Sequence, residues 1–381
     1  MKGLDTLLVF VPITIGLNFL APHEPPYQIA VFCCACLAVL PLAGKMGHAT
    51  EELAKHLGPN LGGLLNATFG NAAELIITIL AMKAAYDTSD RALQRTLLDV
   101  AQASITGSIV GNVLLVLGLA LLLGGWSRTV QTVNRTLAGM HAGLLLLAVA
   151  GLVVPALFVQ AHPDRAGIHG ETTDPAVFRL SIGVAIVLMA IYLLGLYFSL
   201  KTHKTIFTGG DEFEAPHWTK KKALTVLGIA TAFVAWMSEI LVHTIEPMTH
   251  SMGLSPIFVG FIVIPVIGNA AEHATAIVMA RQNKMDVAFG IAVGSSTQIA
   301  LFVAPVLVFV SMLFGHQLSL IFTPVELVAV IFAAAIVGFI SQDGETHWLE
   351  GAQLLALYLV ISLAFLLLPP PTLPVATTGA H

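Results

Sequence analysis

Two copies of one five-residue string carry the chemistry of this chain. Gly70-Asn71-Ala72-Ala73-Glu74 returns as Gly268-Asn269-Ala270-Ala271-Glu272, each time inside a long apolar stretch. A glutamate at the middle of a membrane helix costs about 2.5 kcal/mol or more, so two in one setting point to an ion or proton site. Asn and Glu three positions apart share a helix face, and each copy therefore presents an amide and a carboxylate together. The Gly ahead of Asn lets the backbone bend or be approached closely, and Pro265 frees a carbonyl, which favours a broken helix with exposed oxygens. The segment after each string adds Ser104, Thr106, Ser108 and Asn112 in the first copy and Ser295, Ser296, Thr297 and Gln298 in the second. This is an oxygen inventory without thiolate, which suits a hard cation such as calcium better than zinc or copper.

The elements that must position these groups are membrane helices. Of 381 residues, 56% are hydrophobic and 10% charged, and the mean hydropathy of +0.87 excludes a water-soluble globule. The formal charge of -5 comes without a basic block, so no nucleic-acid partner is expected. Cys33, Cys34 and Cys36 crowd one apolar segment and read as small core residues. No His-Glu-x-x-His string and no Gly-rich phosphate loop occurs, which argues against an intramembrane metalloenzyme and an ATP-driven pump, and nothing marks a channel filter. The chain is not expected to be an enzyme, and no resident cofactor is implied beyond a transported ion.

At roughly 20 apolar residues per span, eleven spans are expected, over 5–21, 27–47, 60–85, 96–124, 134–160, 176–200, 222–245, 254–281, 286–314, 322–340 and 348–368. The first has no small-residue cleavage site after it and reads as a retained span. Of the 17 Lys and Arg, 12 fall on the side that carries the N-terminus, so the N-terminus is expected in the cytoplasm and the C-terminus outside. Glu74 and Glu272 then lie five crossings apart on helices that run oppositely, the signature of inverted-topology repeats. Asp99-Val100-Ala101 with Gly107-Ser108 is echoed by Asp286-Val287-Ala288 with Gly294-Ser295, which extends the repeat beyond the motif. The expected architecture is thus an all-α polytopic membrane protein: an extra N-terminal span (1–26), a five-helix repeat (27–201), a cytoplasmic linker (202–221), an inverted five-helix repeat (222–369) and a tail (370–381).

The paired strings, the second followed by His273, with Gly107-Ser108-Ile109-Val110-Gly111-Asn112 and Gly294-Ser295-Ser296-Thr297-Gln298, resemble the cation/proton exchanger branch of the calcium/cation antiporter superfamily. The resemblance covers nearly the whole chain. It implies that Glu74 and Glu272 alternate between calcium and protons with Asn71 and Asn269 beside them. Ser108, Asn112, Ser295 and Gln298 would line the ion path. Sodium-coupled relatives carry acidic or amide groups where this chain has Ile299, which points to protons as the coupling ion, with sodium coupling or a divalent cation channel as alternatives. The acidic segment between spans six and seven is short here, only Asp211, Glu212 and Glu214. The expected substrates are calcium and protons, the setting is the bilayer of a prokaryotic inner membrane, and homo-oligomerisation is left open.

The mechanism follows from charge. Burial and mutual repulsion favour protonated acids, a divalent cation favours ionised ones, and so metal and protons expel each other. Plainer readings stand beside these. Asn71 and Asn269 serve equally as interhelical hydrogen-bonding residues, and any single Ser or Thr reads first as bonded to its own backbone. His273 points off the Glu272 face and reads as a packing or supporting residue. Glu239, with His243 and Glu246, marks either an access route or a solvated helix end, while Glu51 and Glu52 close the polar end of span two. Asp99 and Asp286 read as helix N-terminal residues stabilised by the dipole.

Overall fold

Polar side-chain caps set where several of the apolar helices begin. The computed structural model describes residues 4–20, 24–162, 172, 174–203 and 215–368. The helices are α1 (Leu4–Leu20), α2 (Pro25–Phe69), α3 (Ala72–Asp87), α4 (Arg91–Gly125), α5 (Arg135–Ala161) and α6 (Pro175–Thr202). They continue as α7 (Lys220–Met252), α8 (Pro256–Gly268), α9 (Ala270–Arg281), α10 (Met285–Leu313), α11 (Pro324–Ile340) and α12 (Trp348–Leu366). Asp90, Asn134 and Asp174 each accept two backbone N–H bonds at the starts of α4, α5 and α6, and Thr323 with Glu326 forms a capping box on α11. Seven of the described helices are long and apolar enough to cross a bilayer, and α8 with α9, bent by 61° at their junction, makes an eighth. The protein is therefore a multi-pass integral membrane protein.

Burial orders the layers. Of the most apolar window in each helix, 83% is buried in α4 but only 28% in α6 and α12, so α4 is the central rod and the other two are peripheral. The α4 and α8 backbones touch at paired glycines: a Cβ on Gly107 would strike the Phe261 carbonyl, and one on Gly260 would strike that of Val100. α2 and α7 pack along one another over most of their length, and α7 also lies on α3. A two-residue antiparallel ladder, Gln131–Thr132 with Glu345–Thr346, ties the segment before α5 to the segment before α12.

Three elements depart from the sequence reading, each for a local reason. The expected span 60–85 is two pieces: α2 carries a break at Gly58, whose φ of 76° suits glycine, and runs on to Phe69, and α3 starts afresh after Gly70-Asn71. α4 begins at Arg91 because Asp90 caps it there, so Asp99 is an interior helix residue and not an N-terminal one. α7 runs through Pro247 to a left-handed Gly253, which puts Glu239 well inside the helix and not at its end. The acidic segment Asp211, Glu212 and Glu214 and the tail 370–381 lie outside the described residues.

Candidate ion-binding site

Each five-residue string turns out to be a helix start in mid-membrane. Asn71 is the N-cap of α3 and Asn269 the N-cap of α9, which makes Glu74 and Glu272 the third residue of their helices. At that spacing an Asn side chain ordinarily caps its own helix and the Glu reaches back to close a capping box. Neither happens here: no side-chain cap bond forms at either Asn. All four side chains are released to face the middle of the molecule, and the two helix N-termini bring their positive dipole ends to the carboxylates.

The amides cross between the two halves of the chain. Asn269 Nδ2 donates to Glu74 Oε2 at 3.1 Å and to Ser108 Oγ at 3.2 Å. Ser295 Oγ donates to Glu272 Oε2 at 2.7 Å or to Asn71 Oδ1 at 2.8 Å, and Asn71 Nδ2 donates to Gln298 Oε1 at 2.8 Å. The glycines interlock in the same reciprocal way. A Cβ on Gly70 would lie 3.0 Å from Glu272 Oε1, and one on Gly268 would lie 3.5 Å from Glu74 Cβ. His273 Nε2 meets Asn112 Oδ1 at 3.0 Å, so this histidine supports a site residue from behind.

Glu74, Asn71, Asn269, Ser108 and Asn112 are buried, whereas Glu272 is half-buried. Among these central residues, three buried polar atoms have no hydrogen-bond partner: Glu74 Oε1, Asn269 Oδ1 and Asn112 Nδ2. Orphaned buried acceptors are costly unless something fills the need. Two of these atoms are oxygens at the centre of the site, the position a hard cation or a proton would occupy.

The remaining candidates sort by geometry. Of the hydroxyl set, Ser108 and Ser295 join the site. Thr106 instead donates to Glu326, Ser296 bonds the Ile109 and Ala292 carbonyls, and Thr297 bonds Val293. Ser104 pairs with Thr78, whose hydroxyl also holds the Glu74 carbonyl. Thr78 was not singled out from the sequence, although it stands four residues after Glu74 on the same face. Glu52 leaves the ion-path group: it is fully buried, its Oε2 accepts Trp218 N at 2.7 Å and its Oε1 accepts Lys55 Nζ at 3.0 Å, tying the segment before α7 to α2. Glu51 and Glu239 are exposed, and Glu51 faces His48 and Lys55 on its own helix. His141 was also missed. Its ring lies 3.5 Å from a Cβ position on Gly294, beside Ser295, and a lone histidine on an apolar helix gives no sequence signal for that.

The sodium/calcium exchanger protein family matches this chain over residues 27–201 and again over 222–367. The chain belongs to that family. It is 43% identical over 379 residues to the Ca(2+)/H(+) antiporter of Aphanothece halophytica, covering 95% of this chain and 96% of that protein. Its identity to the Ca(2+)/H(+) antiporter ChaA of Bacillus subtilis (strain 168) is 42% over 374 residues, covering 97% of this chain and 100% of the other. Among solved structures, native YfkE superposes with a TM-score of 0.78 at 39% identity, over 96% of this chain and 100% of that one.

Proposed function

We propose that the protein exchanges calcium, or a similar divalent cation, for protons by alternating access, with Glu74 and Glu272 binding either the metal or protons. The observation that carries this reading is the pair of N-cap asparagines whose amides serve the opposite half and leave Glu74 Oε1 and Asn269 Oδ1 unpartnered. Names given to relatives of about 40% identity agree with it.

The ion-facing oxygens in this reading come from Glu74, Glu272 and Asn269. Asn71, Ser108, Ser295 and Gln298 orient them, and Asn112 is held by His273. Protonated, the two acids leave no charge to hold a metal; ionised, they repel each other until a divalent cation enters between them. An empty, doubly ionised site is the state least able to cross, so loaded states alone reorient. The eleven spans, the inverted five-helix repeats over 27–201 and 222–369, and an N-terminus in the cytoplasm of a prokaryotic inner membrane belong to the same reading. The duplicated helix start at Asn71 and Asn269 supports the repeats.

The test is calcium uptake into proteoliposomes under an imposed pH gradient, with Glu74→Gln and Glu272→Gln beside the parent chain. Both variants are expected to lose exchange. Normal uptake by either removes its carboxylate from the site, and uptake that follows a sodium gradient instead replaces the coupling ion.

A further inference from the structure

A second set of buried charges lies on the other flank of α4. Ser104, Ser108 and Asn112 recur every fourth residue and face the central site. Asp99 and Thr106, seven residues apart, share the opposite face, toward α11. Asp99 is 5% exposed, and its Oδ1 has no hydrogen-bond partner. One turn earlier on the same helix, Arg95 Nε is likewise buried and unpartnered. Residues four apart on a helix are placed to pair, yet these two are not paired here.

The repeat explains why Asp99 is left over. Its counterpart in the Asp-Val-Ala echo, Asp286, accepts the backbone N–H of Asn134, the N-cap of α5. The matching N–H for Asp99 belongs to Thr323, the N-cap of α11. Glu326 has taken it: Glu326 Oε2 accepts Thr323 N at 2.9 Å and Thr323 Oγ1 at 2.7 Å, and Glu326 Oε1 accepts Thr106 Oγ1 at 2.7 Å. With three donors the oxygens of Glu326 are satisfied, and Asp99 has lost the structural task its twin performs.

A buried carboxylate without a donor is unstable as a bare ion, so it must hold a proton or meet a cation. One unpartnered oxygen beside a guanidinium is too little for calcium, which takes six to eight oxygens. The charged groups acting on Asp99 are Arg95 from its own helix and Glu326 from α11. We propose that Arg95 and Asp99 form a proton-binding pair outside the transport site. The carboxyl of Asp99 carries a proton while the guanidinium stands apart. When the guanidinium swings one turn to the carboxylate, the O–H bond breaks and the proton leaves to water at the Arg91 end of α4, Arg95 remaining charged throughout. Because α4 also carries Ser108 and Asn112, the two positions of this pair present the ion site with two settings of the same rod.

Infrared difference spectra between acid and alkaline buffer test the pair without any need for exchange. In a full-length chain carrying E74Q and E272Q, acidification is expected to raise the carbonyl band of protonated carboxylic acids, and adding Asp99→Asn is expected to remove one component of that band. Arg95→Gln is expected to let that component survive to buffer about one pH unit more alkaline, because the counter-ion that draws the proton off is gone. A band indifferent to Asp99→Asn, or one that Arg95→Gln does not move, overturns the pair. Should Asp99→Asn fail to fold, the Arg95→Gln arm decides alone. In the parent background Asp99→Asn is expected to move the midpoint of the exchange rate against pH by about one unit while calcium binding at fixed pH changes by less than about two-fold. An unmoved midpoint in a chain that still exchanges refutes the pair but leaves the proposed function standing, and a parent chain without exchange does the reverse.

Discussion

Glu74 and Glu272 have the same sequence environment but different surroundings once folded, and under the proposed function the difference bears on how they would exchange ligands. Glu74 is closed in, with one oxygen held by Asn269 and the other free, whereas Glu272 is half-buried with Ser295 as donor. If both acids release protons when the metal enters, linkage fixes the sign. Lower pH keeps the acids neutral and weakens calcium, by up to about 100-fold per pH unit where two protons are displaced. Replacing either acid by glutamine is expected to weaken binding and to cut that dependence to about ten-fold per unit, one proton instead of two. Calorimetric titration with calcium at a series of pH values measures both. A dependence left unchanged in Glu74→Gln removes Glu74 from the proton count. That these two acids and the two asparagines would come together was legible in the sequence, because a charged residue repeated in apolar surroundings is conspicuous. The sharing-out of hydroxyls was not. Ser108 and Thr106 differ by two positions on α4, and only the packing of α9 on one side and α11 on the other sends one to Asn269 and the other to Glu326.

Among the elements, the decisive device is a helix that starts again in the middle of the membrane. Gly70-Asn71 and Gly268-Asn269 interrupt two rods so that an N-cap and a third residue, normally spent on the helix's own backbone, bond side chains of other helices instead. Pro265 announced the second break, while the first has no proline near it, and the sequence reading ran it as one continuous span from 60 to 85. Hydropathy alone hid two helix ends: the polar turn after Asp90, which already belongs to α4, and the polar run Glu246-Pro247-Met248-Thr249-His250, through which α7 continues to Gly253. These broken rods depend on close support from α4, and the Gly107–Gly260 crossing supplies it. A methyl group on Gly107 has no room beside the Phe261 carbonyl. Gly107→Ala is therefore expected to push α8 away and to cost about 1 to 3 kcal/mol, the usual penalty of overpacking. The loss is read as a lower thermal midpoint in detergent. Because Ser108 is the next residue, calcium binding should fall with it; a variant of parental stability refutes the contact as tight.

Over the whole molecule, alternating access requires one body to move against another while the acids stay put. α2 and α7 are suited to be the moving body: they lie along each other, they are tied at one end by Trp218 to Glu52, and they carry none of the residues proposed to hold the ion. The static body is then α3, α4, α9 and α10, held together by the hydrogen bonds that cross the site. The two bodies meet at Gly44 of α2 and Ala271 of α9, where a Cβ on the glycine would stand 3.7 Å from that of the alanine. That separation is within the range a disulfide spans, about 3.5 to 4.5 Å between Cβ atoms. Cysteines at both positions, in a chain whose Cys33, Cys34 and Cys36 are replaced, are expected to cross-link on oxidation and fix α2 against α9. The oxidised protein should lose at least about ten-fold in exchange rate, the reduced protein should recover it, and calcium binding should survive in both, since the acids lie on the static side of the link. Exchange at the reduced rate with the disulfide formed would mean that these helices do not slide and that the motion lies between some other pair of bodies.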